Sequence, residues 1–378
     1  MTATDLVPTI DPNPLPAPHW VFDVLLVLTF VLHILAMNLV LGGGALALWA
    51  RWRSGKGEVG ERISRDVAKK LPLFLPAAIT LGIAPLLFLQ VLYGQYFYTS
   101  SILMAWPWFL VLVALTATYY GFYYVSFRIG RPGRGVGVVL LCSMILVLAI
   151  GFLFSNNLTL SQVPERWAEK YLASSSGWHL NLTEPTLFPR FLHFVVAAVA
   201  VGGLLLVLFS WANWKRDPDY ARQILRYGGK AFTYATMAQF LVGIVFLVTL
   251  PRGLRMLVLG DNLPATILLL VAVVGGLGAI FLMSDAVRRE NLRVAALLVP
   301  GITAVVIACM SVVRDILRNG YLQGHLRAGE FAERTQWSVL PLFLVLFLAG
   351  VILWLWMLRR YGLLGGAALP EPPKTPPH

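Results

Sequence analysis

The chain has 378 residues, of which 58% are hydrophobic and only 13% charged, with a mean hydropathy of +0.74 and a formal net charge of +12. Soluble domains carry about 25% charged residues, so an ordinary globular enzyme is excluded. The basic excess calls for no nucleic-acid partner, because it gathers in the loops where membrane topology places positive charge.

Residues 1–19 form a Pro-rich start (Pro12, Pro14, Pro16, Pro18) without a basic n-region or a signal-type cleavage site, so the first span is expected to be retained. Nine segments then approach or exceed the ~20 apolar residues that a spanning helix needs. They are 20–50, 71–92, 102–126, 136–158, 187–212, 230–251, 264–283, 294–312 and 338–358. Pro76, Pro85 and Pro300 predict kinks, since neighbouring helices can satisfy the freed backbone groups. Between spans, the uncharged stretch Tyr93–Ser101 is expected to be an outer loop, as are 159–186, the short link Arg252–Leu263 and the polar stretch 313–337.

The other set of connections is basic. It holds Arg51, Arg53, Lys56, Arg62, Arg65, Lys69 and Lys70, then Arg128, Arg131 and Arg134. Lys215, Arg216, Arg222, Arg226 and Lys230 follow, with Arg288, Arg289, Arg293, Arg359, Arg360 and Lys374 completing 21 of the 30 Lys and Arg. Positive charge stays cytoplasmic, so nine spans place the N-terminus outside and the C-terminus inside. The expected fold is all-α and polytopic: an outer segment 1–19, a nine-helix membrane domain 20–362 in lipid, and a Pro-rich cytoplasmic tail 363–378 that reads as disordered.

Two histidines stand inside the apolar runs. His33 precedes Arg51 by 18 residues and His193 precedes Lys215 by 22; at about 1.5 Å per residue these are roughly 27 and 33 Å from the basic boundary. Both belong near the outer face of a hydrocarbon core about 30 Å thick. Ionisable or metal-binding side chains in hydrocarbon mark function, although a lone histidine can also serve only to hydrogen-bond a neighbouring helix. His19, His179 and His325 fall in outer loops and read as solvated. Cys142 and Cys309 make no CxxC or CxxCH pattern, which argues against zinc, iron–sulfur and covalently attached haem. A flat apolar macrocycle between helices, with histidine as axial ligand, is the chemistry that fits: haem, one or two groups of the b type. Met310, about 26 Å from the basic side, is a candidate sixth ligand, with core packing as its plain alternative. Arg314, Asp315 and Arg318 follow on the same span. The arginines could hold haem propionates in bidentate contacts. Asp315 could pair with either arginine or act as a weak oxygen ligand, and a solvated helix end is the other reading.

Three stretches resemble subunit I of the cytochrome bd ubiquinol oxidases: Leu32-His33-Ile34-Leu35 with Gly42-Gly43-Gly44, Pro189-Arg190-Phe191-Leu192-His193-Phe194, and Val312–Gly320. Leu92–Tyr96 is a weaker echo. The resemblance implies nine spans, a prokaryotic cytoplasmic membrane, His33 and His193 as haem ligands, and Asp315 and Arg318 at positions of a haem-liganding glutamate and an arginine. The departures are as informative. The family's large quinol loop shrinks to about Arg252–Leu263, the third span lacks its two glutamates, and Thr266–Leu269 stands where a methionine ligand is expected.

Together these features predict a b-type haem electron carrier related to cytochrome bd subunit I that does not itself reduce oxygen. It would pass electrons between quinol and an outer-side redox partner such as a c-type cytochrome. His193 and His33 would bind haem iron, with Met310, Asp315, Arg318, Arg314 and Arg190 around the cofactor. The competing expectation is a haemless scaffold subunit or a transporter, for which Gly42–Gly44, Gly202–Gly203 and Gly275–Gly276 would permit close helix packing.

Overall fold

The computed structural model describes residues 13–53, 58–130, 135–326 and 331–357. The expected tail 363–378 and the basic residues Lys56, Arg131, Arg134, Arg359, Arg360 and Lys374 lie outside these. Among the described residues nine helices are long and apolar enough to cross a membrane, and the all-helical, polytopic expectation holds. They are α1 (His19–Arg53), α3 (Leu71–Leu103), α4 (Ala105–Arg128), α5 (Gly135–Ser161), α7 (Leu187–Asn213), α8 (Pro218–Thr249), α10 (Leu263–Arg289), α11 (Val299–Tyr321) and α12 (Val339–Met357). Shorter helices are α2 (Glu58–Ala68), α6 (Trp167–Ala173) and α9 (Arg252–Met256).

Capping fixes several boundaries. Asp217 accepts from the Tyr220 amide at 3.2 Å with Pro218 opening α8, and Asn262 accepts from the Ala265 amide at 3.0 Å to start α10. Both use a short polar side chain to satisfy an amide that has no partner within the helix, and Pro218 occupies a first-turn position where no amide hydrogen is needed. The link Arg252–Leu263 is therefore not an open loop: it is α9, one π-type turn over Leu257–Asp261, and the Asn262 cap.

A second loop expectation is corrected as well. Tyr93–Ser101 is not a loop; α3 kinks at Tyr93 and continues helical to Leu103. Leu92, Tyr96, Phe97, Ser100 and Leu103 recur at helical spacing and are all buried, so an apolar face carries the helix onward. Tyr96 packs against Trp167 and its hydroxyl donates to the His325 carbonyl at 2.8 Å.

The bundle centres on α1, α3, α7 and α8. Glycines let the backbones meet: a Cβ built on Gly42 would lie 1.7 Å from the Ala198 carbonyl oxygen, and one on Gly203 would lie 2.6 Å from the Gly228 oxygen. At one end of the bundle the α2 side chains tie to α8, with Arg62 donating to Asp217 at 2.5 Å and Tyr220 donating to Asp66 at 2.7 Å. Glu290, which ends α10 in the left-handed region, accepts from Arg222 of α8 at 3.1 Å. At the opposite end Leu15 bridges the segment before α12, and His19 donates its amide to Glu333 at 2.9 Å. Helix α12 is peripheral, meeting the rest through Leu340, Leu344 and Phe347.

Candidate functional site

A cavity of about 520 Å³ lies between α1, α7, α8, α10 and α11. This is within the ordinary range for sites that enclose a small molecule or cofactor. Its walls are mostly apolar, and its polar groups are few: Arg190 and His193 from α7, Gln239 from α8, Met310, Arg314 and Arg318 from α11, with Asn38, Gln162, Thr236, Thr303 and Ser311.

Arg190 and Arg318 are buried and Arg314 is half-buried. Arg190 donates to Gln162 Oε1 at 3.0 Å and its guanidinium lies 5.4 Å from the centre of the Phe246 ring. Arg318 bonds both Asp315 and the Tyr93 hydroxyl, the latter at 3.0 Å, and stacks on the Tyr93 ring. Arg314 lies 4.2 Å over the Phe30 ring and has no ion pair within 4 Å among the described residues. The Nε groups of Arg190, Arg314 and Arg318, and Nη1 of Arg318, are buried without hydrogen-bond partners. Donors left unmade in a low-dielectric interior are costly, and an anionic group in the cavity would satisfy them.

The two histidines are set differently. The His33 ring lies on α3: its Nδ1 is 2.9 Å from the Ala78 carbonyl oxygen, and a Cβ on Gly82 would come within 2.8 Å of its Cε1. A carbonyl only accepts, so Nδ1 carries the hydrogen and Nε2 the lone pair. His193 lies against α8, where a Cβ on Gly243 would be 3.3 Å from its Cε1, and its Nδ1 is buried without a partner.

The structure thus gathers His193, Met310, Arg190, Arg314 and Arg318 at one cavity. His33 and Asp315 are off its wall. Asp315 is occupied by Arg318 and by Asn319, which donates to it at 3.3 Å. Sequence reasoning passed over Phe30, Gln162 and Gln239. Gln239 had a signal, being a polar side chain inside an apolar span.

This donor set fits a haem: an imidazole and a thioether in a largely apolar chamber, with three guanidinium groups to receive two carboxylates. Among the described residues no group of three or more His, Cys, Asp or Glu could hold a bare metal ion.

No protein-family model and no curated protein matches the chain. Among solved structures it is similar to the bd oxidase from Geobacillus thermodenitrificans, with a TM-score of 0.69 over 92% of this chain and 100% of that chain at 15% sequence identity. The fold is bd-oxidase-like. At that identity the likeness speaks for architecture, and the function has to be argued from the site.

Proposed function

We propose that this chain is a b-type haem electron-transfer subunit of a prokaryotic cytoplasmic membrane, a degenerate relative of cytochrome bd subunit I. It passes electrons between quinol and an outer-side redox partner, such as a c-type cytochrome, without reducing oxygen. The observation that carries this reading is the convergence of His193 with Arg190, Arg314 and Arg318 on one apolar cavity inside the bundle. The bd-oxidase-like fold supports a respiratory setting. The basic connections support an outer N-terminus, an outer segment 1–19 and a membrane domain 20–362 with its C-terminal tail inside.

In this reading His193 and Met310 would hold the iron, and the three arginines would hold the propionates. When bound, haem supplies a one-electron carrier. The chain's own residues fix the imidazole against α8, neutralise the acidic edge and keep water from the apolar faces supplied by Phe194, Phe240 and Leu269. His33, with Nδ1 held by a carbonyl, has the tautomer of a ligating histidine and is the candidate ligand for a second haem.

A dithionite-reduced minus oxidised spectrum of the purified protein tests the reading. Wild type should show b-type bands, His193→Ala should lose a low-spin signal, and His33→Ala should remove or shift only a second one. Wild-type protein without haem absorbance, under conditions that load other b-type cytochromes, would overturn it in favour of a haemless scaffold or transporter.

A further inference from the structure

A histidine that binds a metal through one ring nitrogen nearly always donates the other N–H to a fixed acceptor, which sets the tautomer and the ring plane. His33 has such an acceptor in the Ala78 carbonyl. His193, the residue proposed above to hold the iron, has none: its Nδ1 is buried and unpartnered. Gln239 Oε1, on the wall of the same cavity, is also buried and unpartnered. One atom donates and the other accepts.

The helices bring the two within reach. The His193 ring rests on α8 at Gly243, where a Cβ would be 3.3 Å from Cε1 and 3.8 Å from Nδ1, so the Nδ1 edge faces that helix. Gln239 is one turn earlier on α8, and residues four apart on a helix are neighbours on one face, about 5–6 Å apart. A glutamine side chain spans that gap. The other groups around the ring serve less well. Arg190 has no acceptor atom, Thr236 lies seven residues, about 10 Å along α8, from Gly243, and Phe246 presents a ring 6.3 Å away.

We propose that Gln239 is the positioning residue of the His193 imidazole, accepting the Nδ1 hydrogen and so leaving the Nε2 lone pair for the iron. This rests on the haem reading above. It also makes the neutral amide a tuning element. A carboxylate in its place would make the imidazole a stronger donor and favour the ferric state, and an apolar side chain would weaken it and favour the ferrous state.

The experiment compares wild type, Gln239→Glu and Gln239→Leu in the purified full chain by potentiometric titration of the haem absorbance. Haem transfer to added apomyoglobin is followed in parallel. The expected result is a midpoint potential lowered in Gln239→Glu and raised in Gln239→Leu, with haem lost from the leucine variant roughly tenfold faster or more. Potentials equal to wild type in both variants, or displaced in the same direction, would overturn the assignment while leaving the haem reading intact. If Gln239→Leu does not fold, the near-isosteric Gln239→Glu decides alone, and an unchanged potential there refutes the role. A wild-type protein that carries no haem overturns the haem reading itself, and this inference with it.

Discussion

Gly42 of α1 and Gly202 of α7 meet backbone to backbone: a Cβ on Gly202 would lie 2.4 Å from the Gly42 carbonyl carbon. Both helices begin at the same end of the bundle. His33 and His193 each stand nine residues before the crossing, about 13 Å along their helices. The glycine contact therefore sets the two imidazoles at about one depth, His33 against α3 and His193 against α8.

Filling that contact should cost stability. Overpacking in a core typically costs about 1–3 kcal/mol, and here the obstruction is backbone, which cannot rotate away. Gly202→Val is expected to lower the melting temperature in detergent by several degrees and to weaken the haem signal. Gly278→Ala, where an added Cβ meets nothing within 4 Å, should be neutral or slightly stabilising. Equal melting temperatures for the two variants would refute the close crossing.

Arg314 is the most exacting of the cavity's cations: its guanidinium stacks on Phe30, and it has no ion pair within 4 Å among the described residues. A hydrogen bond to a charged group is worth about 1.5–3 kcal/mol, so Arg314→Leu should weaken haem retention by about 10- to 100-fold. Arg314→Lys should recover only part of this, since an ammonium cannot bind a carboxylate through two parallel bonds. Retention unchanged in Arg314→Leu would remove this residue from the site.

Much of this was legible in the sequence, for physical reasons. Apolar runs of bilayer length have no other stable use, so the nine spans read directly. His33 and His193 stood out as costly groups in hydrocarbon, and Arg314 and Arg318 as a basic cluster at the outer end of the span that carries Met310. The facing of His33 was not legible, because α1 is apolar all round and no periodicity marks one side. Ala78 and Gly82, on a helix remote in sequence, decide it. Helix α2 was hidden differently: Val59, Ile63 and Val67 recur at four-residue spacing within a stretch whose basic residues had already marked it as a loop.

Topology is open to direct labelling. Cysteines placed at Gly60 and Lys170 should react with a membrane-impermeant maleimide from opposite sides, position 60 only after the cytoplasmic face is opened. The basis is the concentration of 21 of 30 basic residues in alternate connections. Labelling of both from the same side excludes an odd number of spans between the two positions.

The α2–α8 tether should respond to acid. The Arg62 guanidinium, helped by the Tyr220 amide, holds the Asp217 carboxyl below its ordinary value. A depressed folded-state value means that the contribution to stability is present above the unfolded value, about 3.9, and is lost as the pH falls through the folded one. Asp217→Asn keeps the helix cap and removes the charge. Its melting temperature at neutral pH should be slightly lower than that of wild type, and its decline below about pH 4 shallower. Parallel acid profiles would show that the ion pair contributes nothing to stability.

Oxygen chemistry is where the chain should depart from the oxidases it resembles. Reducing oxygen to water consumes protons at the site, and carboxylates within the spans are the usual relays. Helix α4 has no Asp or Glu, and neither do α3, α5, α7 and α12. The acids that the other spans contain sit at their ends: Asp23 and Asp315 at the end where α1 begins, Asp219 and Asp285 at the opposite one. None lies midway to the cavity. The compact link of α9 and the Asn262 cap also leaves little protein to enclose a quinol headgroup as the oxidase loop does. Electron transfer alone needs no such path. The haem should therefore be reducible by quinol or by an outer-side c-type cytochrome, while membranes carrying the protein show no cyanide-insensitive quinol oxidase activity attributable to it. Steady oxygen consumption by the purified chain with quinol would mean that protons reach the cavity by a route without carboxylates.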